Sequence, residues 1–171
     1  MSVTVERCRV PLSRFLSREL SDWRGLPSHC RERDLEALFP LRPGEGATRL
    51  GVDLVSYRFR VLEWPGLLEP VHLLFASDIL RMLRTGLWST DRSECDRLLG
   101  ELGQPDSRVD LAFGVTWIPD GDWVYASRGL TLSVIPDTGL IAGVEAYPPG
   151  TLQSYLRSFH NTSPAREFPA P

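Results

Sequence analysis

Residues 130–147 read LTLSVIPDTGLIAGVEAY. Leu130, Leu132 and Val134 alternate with Thr131 and Ser133, the period of a half-buried strand. Pro136-Asp137-Thr138-Gly139 is a turn by its chemistry, because proline fixes φ and Asp and Gly accept turn geometry. A second strand follows at about 140–147, so the stretch is a β-hairpin. An earlier stretch, residues 71–86, reads VHLLFASDILRMLRTG. Val71, Leu73 and Phe75 stand where Leu130, Leu132 and Val134 do, and Asp78 stands for Asp137. Taken alone, the segment from Ser77 resembles a capped helix. Its match to the hairpin predicts a turn at Asp78 and then a strand.

Outward from the hairpins, the correspondence extends to short helices. Leu35, Leu38 and Phe39 match Cys95, Leu98 and Leu99. The second helix has Asp91 as cap with Glu94 three residues on. Its stripe is Cys95, Leu98, Leu99 and Leu102, and Gly103 and Pro105 end it. The first helix follows Ser28 and stops at Pro40. Each unit, about 30–85 and 92–147, therefore reads as a helix followed by a run of strands.

The remaining elements are read in the same way. Residues 3–10 alternate weakly, as an edge strand would, and 12–22 carry a helical apolar stripe. Gly44-Glu45-Gly46 reads as a loop. Leu50 to Leu62 shifts parity, as two short strands or a bulge would. Pro119-Asp120-Gly121-Asp122 reads as a turn between strands at about 110–117 and 123–134, with a bend at Arg128-Gly129. Thr151 caps a last short helix, and the polar, proline-rich residues 160–171 read as a disordered tail.

The fold class expected is α+β, an antiparallel sheet with helices packed on one face, in two tandem helix-plus-meander modules. The divisions are 1–27, an N-terminal strand and helix; 28–88, the first module; 89–159, the second module with a C-terminal helix; and 160–171, the tail. The order of helix, proline and meander, with Leu-Gly-Glu-Leu-Gly-Gln-Pro at 99–105, resembles the small module of BamE-type lipoproteins. In tandem it resembles the beta-lactamase-inhibitor-protein family, whose joined modules grip another protein. That resemblance implies the architecture and a protein-binding tendency, and no individual residue. Those proteins are exported and their modules carry disulfides, features not expected here.

Composition narrows the function classes. The chain has 171 residues, 42% of them hydrophobic and 24% charged, with a net charge of −3. No basic run exists, so nucleic acid lacks its electrostatic footprint. All 19 basic residues are arginine, which excludes Schiff-base and P-loop lysine chemistry. No stretch nears the roughly 20 apolar residues of a membrane span. The start lacks a signal-peptide pattern, and the three cysteines, Cys8, Cys30 and Cys95, form an odd set. Reduced thiols and a cytoplasmic location are the expectation.

Chemistry-bearing residues are few. His29-Cys30 could place a thiolate near a helix start, but adjacent side chains seldom aim at one atom. His72 lies in an apolar strand, on the parity opposite Val71. Asp120 with Asp122 reads as turn chemistry. No metal spacing or cofactor motif is present. The five tryptophans carry more information. Trp64 sits beside a turn, and Trp117 and Trp123 are read as flanking a hairpin tip. Aromatics near arginines have the composition of interface anchors. The candidate binding residues are Trp64, Trp117, Trp123, Tyr125, Arg58 and Arg128. The expected role is stoichiometric binding of another protein through the sheet face, as an immunity or inhibitor protein would, without cofactor, metal, nucleic acid or membrane. The alternative is a small enzyme or ligand binder with a pocket near His29, Cys30 and His72.

Overall fold

The computed structural model describes residues 3–113 and 115–161. Its elements are α1 (Val3–Leu16), α2 (Glu32–Glu36), β1 (Arg42–Leu50), β2 (Val55–Leu62), β3 (Val71–Ala76), β4 (Ile79–Thr85), α3 (Arg92–Leu102), β5 (Ser107–Phe113), β6 (Thr116–Tyr125), β7 (Leu130–Val134), β8 (Ile141–Ala146) and α4 (Leu152–Ser158). The eight strands form one antiparallel sheet in the order β1-β2-β3-β4-β8-β7-β6-β5. Two helix-plus-meander modules are therefore not the architecture. β4 and β8 pair directly, Leu83 with Ala146, Arg84 with Glu145 and Thr85 with Val144. Leaving either strand as an edge would expose unpaired backbone beside apolar side chains. Pairing them removes both edges and merges the halves.

The helices do not share one face, which corrects the second part of the expected fold. One large cluster joins Leu12, Phe15 and Trp23 with Leu73, Leu83, Leu132, Val144, Cys95 and Leu98. It lies between the sheet and α1 to α3. A second cluster, on the other face, seats α4: Tyr155 and Phe159 pack with Tyr57, Leu74, Met82 and Tyr147. α4 has its own apolar side, so it covers the face the first three helices leave open.

α1 replaces the edge strand expected at residues 3–10. Its buried stripe is Cys8, Leu12, Phe15 and Leu16, and this burial outweighs the hydrogen bond that Pro11 cannot donate. The helix stops earlier than 22. Arg18 adopts φ 64°, its N–H reaches Phe15 O and that of Glu19 reaches Arg14 O, which is a Schellman ending. The Arg18 guanidinium then stacks 4.9 Å from the Trp88 ring and donates to Trp88 O. α2 is only five residues long and starts after Arg31, whose side chain makes no cap hydrogen bond, rather than after Ser28. Just before it the chain is drawn onto β4, with Leu80 donating to Cys30 O and Glu32 to Asp78 O.

Cys8 and Cys30 form a disulfide, and Cys95 is free and buried. The expectation of reduced thiols is thereby overturned. An odd count leaves one cysteine over and does not forbid a single bridge. Among the described residues no helix is long and apolar enough to cross a membrane.

Three further expectations change. Residues 44–46 lie in β1, whose register slips between Pro43 and Ala47. Such an edge strand tolerates Pro and Gly because one side needs no partner. Residues 119–122 lie inside β6, where the register slips between Val109 and Leu111 and Asp120 has φ 54°. They make a bulge, and the hairpin turn comes earlier, after Phe113. His160 and Asn161, assigned to the tail, are buried; residues 162–171 lie outside the described residues. Residues 79–85 form β4, the strand the hairpin match predicts.

Candidate functional site

The sheet is strongly curved, and its register shows why. Slips occur at Pro43/Ala47, Leu74/Phe75, Val109/Leu111 and Ser133/Val134. The slips at Leu74/Phe75 and Ser133/Val134 each insert one residue on one strand, those at Pro43/Ala47 and Val109/Leu111 insert two, and such irregularities increase local twist and bend. As a result both edge strands border one cleft: Thr48 of β1 and Phe113 of β5 line the same cavity of about 490 Å³. All eight strands contribute to its walls. α4 fills the adjoining part of the concave face. Tyr147 stacks on Tyr155 and Phe159 at 5.0 and 5.1 Å. The turn after β1 holds the end of α4, with Gly51 donating to His160 O and Val52 to Leu156 O.

The floor of the cleft is polar, because strands that turn apolar residues to the large core turn the opposite parity here. One cross-strand row runs His72, Arg84, Glu145, Thr131. Arg84 Nε lies 3.4 Å from Glu145 Oε1, and Tyr155 Oη donates to Glu145 Oε2 at 3.1 Å. Tyr147 and Thr131 share a hydrogen bond of 2.8 Å beneath α4. In the next row Ser133 Oγ donates to Asp122 Oδ1 at 2.6 Å. His160 Nδ1 lies 3.6 Å from Asp122 Oδ2 and makes no hydrogen bond. Buried polar groups are costly unless paired, so this network fixes the side chains that face the cleft.

Electrostatics follow burial. Desolvation pulls the His160 pKa below its ordinary value, with the Asp110 charge acting the other way. His72 lies over Phe59, with ring centres 5.4 Å apart. Its low-polarity surroundings, and then the Arg84 charge, lower its pKa as well. Both imidazoles are therefore neutral at pH 7. Burial raises the Tyr155 phenol far above its usual value, which keeps it a hydrogen-bond donor to Glu145.

None of the six candidate binding residues lines this cleft. Trp64 is half-buried against Phe39 on the helix-covered face. Trp123 packs on that face too, with the Arg108 guanidinium 4.0 Å from its ring centre. Tyr125 is buried and donates to Gly103 O. Arg58 pairs with Glu32. Arg128 donates to the carbonyls of Trp23 and Ser21, closing the chain after α1 onto the sheet. Trp117 alone of the six is an exposed large hydrophobic, at 41%. It stands with Phe113 (47%) and Val115 (86%) at the hairpin beside the cleft. The alternative trio does not converge. His29 is exposed, Cys30 is bonded to Cys8 in the large core, and His72 is on the opposite face. Among the described residues, no group of three or more His, Cys, Asp or Glu side chains could hold a metal ion.

The polar floor was partly visible in the sequence. His72, Arg84, Thr131, Ser133 and Glu145 are the polar positions of otherwise apolar strands. What could not be read is that β4 and β8 become neighbours, which sets those positions in one row. Compared with protein-family models, curated proteins and solved structures, the chain matches none of them.

Proposed function

We propose that the protein is a non-enzymatic binding module that receives a segment of another protein in the cleft of its curved sheet. A stoichiometric inhibitor or immunity protein is the concrete form. One observation carries the reading: a cleft walled by all eight strands, at whose rim Phe113 continues into exposed Val115 and Trp117. Clustered exposed apolar groups beside a concave surface favour a protein partner. A free small molecule is the second reading, favoured by the volume, since small-ligand sites span roughly 300–1,000 Å³. The compartment follows the thiols. The Cys8–Cys30 bond favours an oxidising environment over a cytoplasmic one, where such bonds are kept reduced.

The test is partner capture by paired variants. Thr48→Trp narrows the cleft from the edge strand β1, and Phe113→Ala removes its aromatic rim. Both should abolish capture while the melting temperature holds. Trp64→Ala, on the other face, should leave capture intact. Capture that survives Thr48→Trp would overturn the reading. Loss of capture with Trp64→Ala alone would move the interface to the opposite face.

A further inference from the structure

The chain leaves α4 inside the cleft. Asn161, just past the helix, lines it together with Ser133 and Gly143. The exit is held in place. Gly51, in the turn after β1, donates to His160 O, and the Phe159 ring stacks on Tyr57 and Tyr147. In the sequence Asn161 continues as Thr-Ser-Pro-Ala-Arg-Glu-Phe-Pro-Ala-Pro, residues 162–171. That segment therefore starts between the walls of the cleft.

Its composition suits the surface it meets. Pro164, Pro169 and Pro171 each fix their own φ and bias the residue before them to extended backbone. Such a segment favours the polyproline conformation over a helix, and it has less freedom to lose on docking. Proline-rich segments dock in aromatic-lined grooves. The apolar walls here are Phe59, Leu74, Leu111 and Phe113, with the His72 ring stacked on Phe59. The reach is sufficient. Ala47, a lining residue level with Arg58 of β2, stands four residues before Gly51, about 13 Å along the chain. A polyproline segment advances roughly 3.1 Å per residue, so Phe168 can extend to about 22 Å from Asn161. A segment tethered this closely has an effective concentration in the millimolar range, so even a weak intrinsic affinity fills the cleft.

We propose that residues 162–171 seat themselves in the cleft as an extended strap, with Phe168 against Phe59 and Leu74. A partner must then displace the strap to enter. The seat stands on the cleft and the exit of the chain; the displacement rests on the binding reading above.

The experiment uses the full chain and NMR relaxation of its backbone amides. Order parameters at Ala165, Arg166, Glu167 and Phe168 should match those of the sheet, near about 0.85. Values below about 0.6 throughout would overturn the proposal. Phe168→Ser should shift the amides of Leu74 and Gly143 and leave those of α1 and α3 unmoved. Shifts confined to residues beside position 168 would count against the strap as decisively. A synthetic peptide of residues 162–171 should then bind the Phe168→Ser chain saturably at the same cleft amides. It should bind the unsubstituted chain at least about tenfold more weakly, because that cleft is already filled. Equal affinity for the two chains would refute the occupancy. A free tail, with partner capture still abolished by Thr48→Trp, removes the strap and leaves the binding module standing. A seated tail, with capture that survives Thr48→Trp, does the reverse.

Discussion

His160 is a buried base whose proton is disfavoured by the fold, and this has a definite consequence for stability. Its folded pKa lies below its ordinary value of 6.5, chiefly through desolvation. As pH falls through that value, the unfolded chain takes up the proton first, so stability falls with it. The contribution is complete above about pH 6.5 and is lost as pH falls toward the lower, folded value. His72 shifts in the same direction. Urea midpoints should therefore decline from about pH 7 to pH 5, and His160→Gln should flatten the decline in part. An unchanged slope in that variant would remove His160 from the account. Glu32 acts in another window. The Arg58 hydrogen bond, first, and that of Arg60 hold it below 4.5, so its contribution is present above that value and lost only in stronger acid. At this scale the sequence was a fair guide to packing and a poor one to partners. Leu98 and Leu102 are buried as their spacing predicts. Tyr125 and Arg128 carry interface chemistry by type, yet their hydrogen bonds go to backbone carbonyls more than 20 residues away in the chain.

Single elements are held by devices of different kinds. The disulfide ties α1 to the segment before α2 across a separation of 22 residues. A bridge of that span contributes about 3 kcal/mol by restricting the unfolded chain. Reduction, or Cys8→Ala with Cys30→Ala, should lower the melting temperature by roughly 6–12 °C. A shift near zero would mean that the apolar stripe of α1 holds the helix unaided. α4 depends instead on a turn. Gly51 has φ +75°, and a Cβ there would lie 2.0 Å from Arg157 O. Gly51→Ala should cost about 2 kcal/mol or more, and differential scanning calorimetry would report it. The caps of α3 and α4 were legible, because Asp91 and Thr151 accept from Ser93 and Ser154 as their positions predict. The first half of α1 was hidden because residues 3–10 alternate weakly, a local pattern that the burial of Cys8, Leu12, Phe15 and Leu16 overrides. The hairpin of β5 and β6 was misplaced because Pro119-Asp120-Gly121 carries turn chemistry, and a bulge uses the same residues.

Across the whole molecule the decisive contact is the three-pair seam between β4 and β8. No local pattern announces it, since any apolar strand can pair with any other, and a seam that joins residues 83–85 to 144–146 depends on packing above and below. Here that packing is continuous. The large core holds Leu73 and Leu83 from one half and Leu132 and Val144 from the other, beneath α1 and α3. On the concave face, Arg84 and Glu145 meet across the same seam, and Tyr155 of α4 closes on Glu145. The cleft therefore exists only when both halves are joined. The protein should unfold in a single cooperative step, with far-ultraviolet circular dichroism and tryptophan fluorescence tracing coincident curves in urea. Leu83, at 0% exposure, sits at the seam. Leu83→Ala should lower stability by about 2–5 kcal/mol and keep the two curves superimposed. Amides of β4 and β8 should exchange only through global opening. If the Leu83 variant instead unfolds in two steps, with β5 to β8 outlasting β1 to β4, the seam is a weak joint. The curvature that forms the cleft would then belong to each half separately.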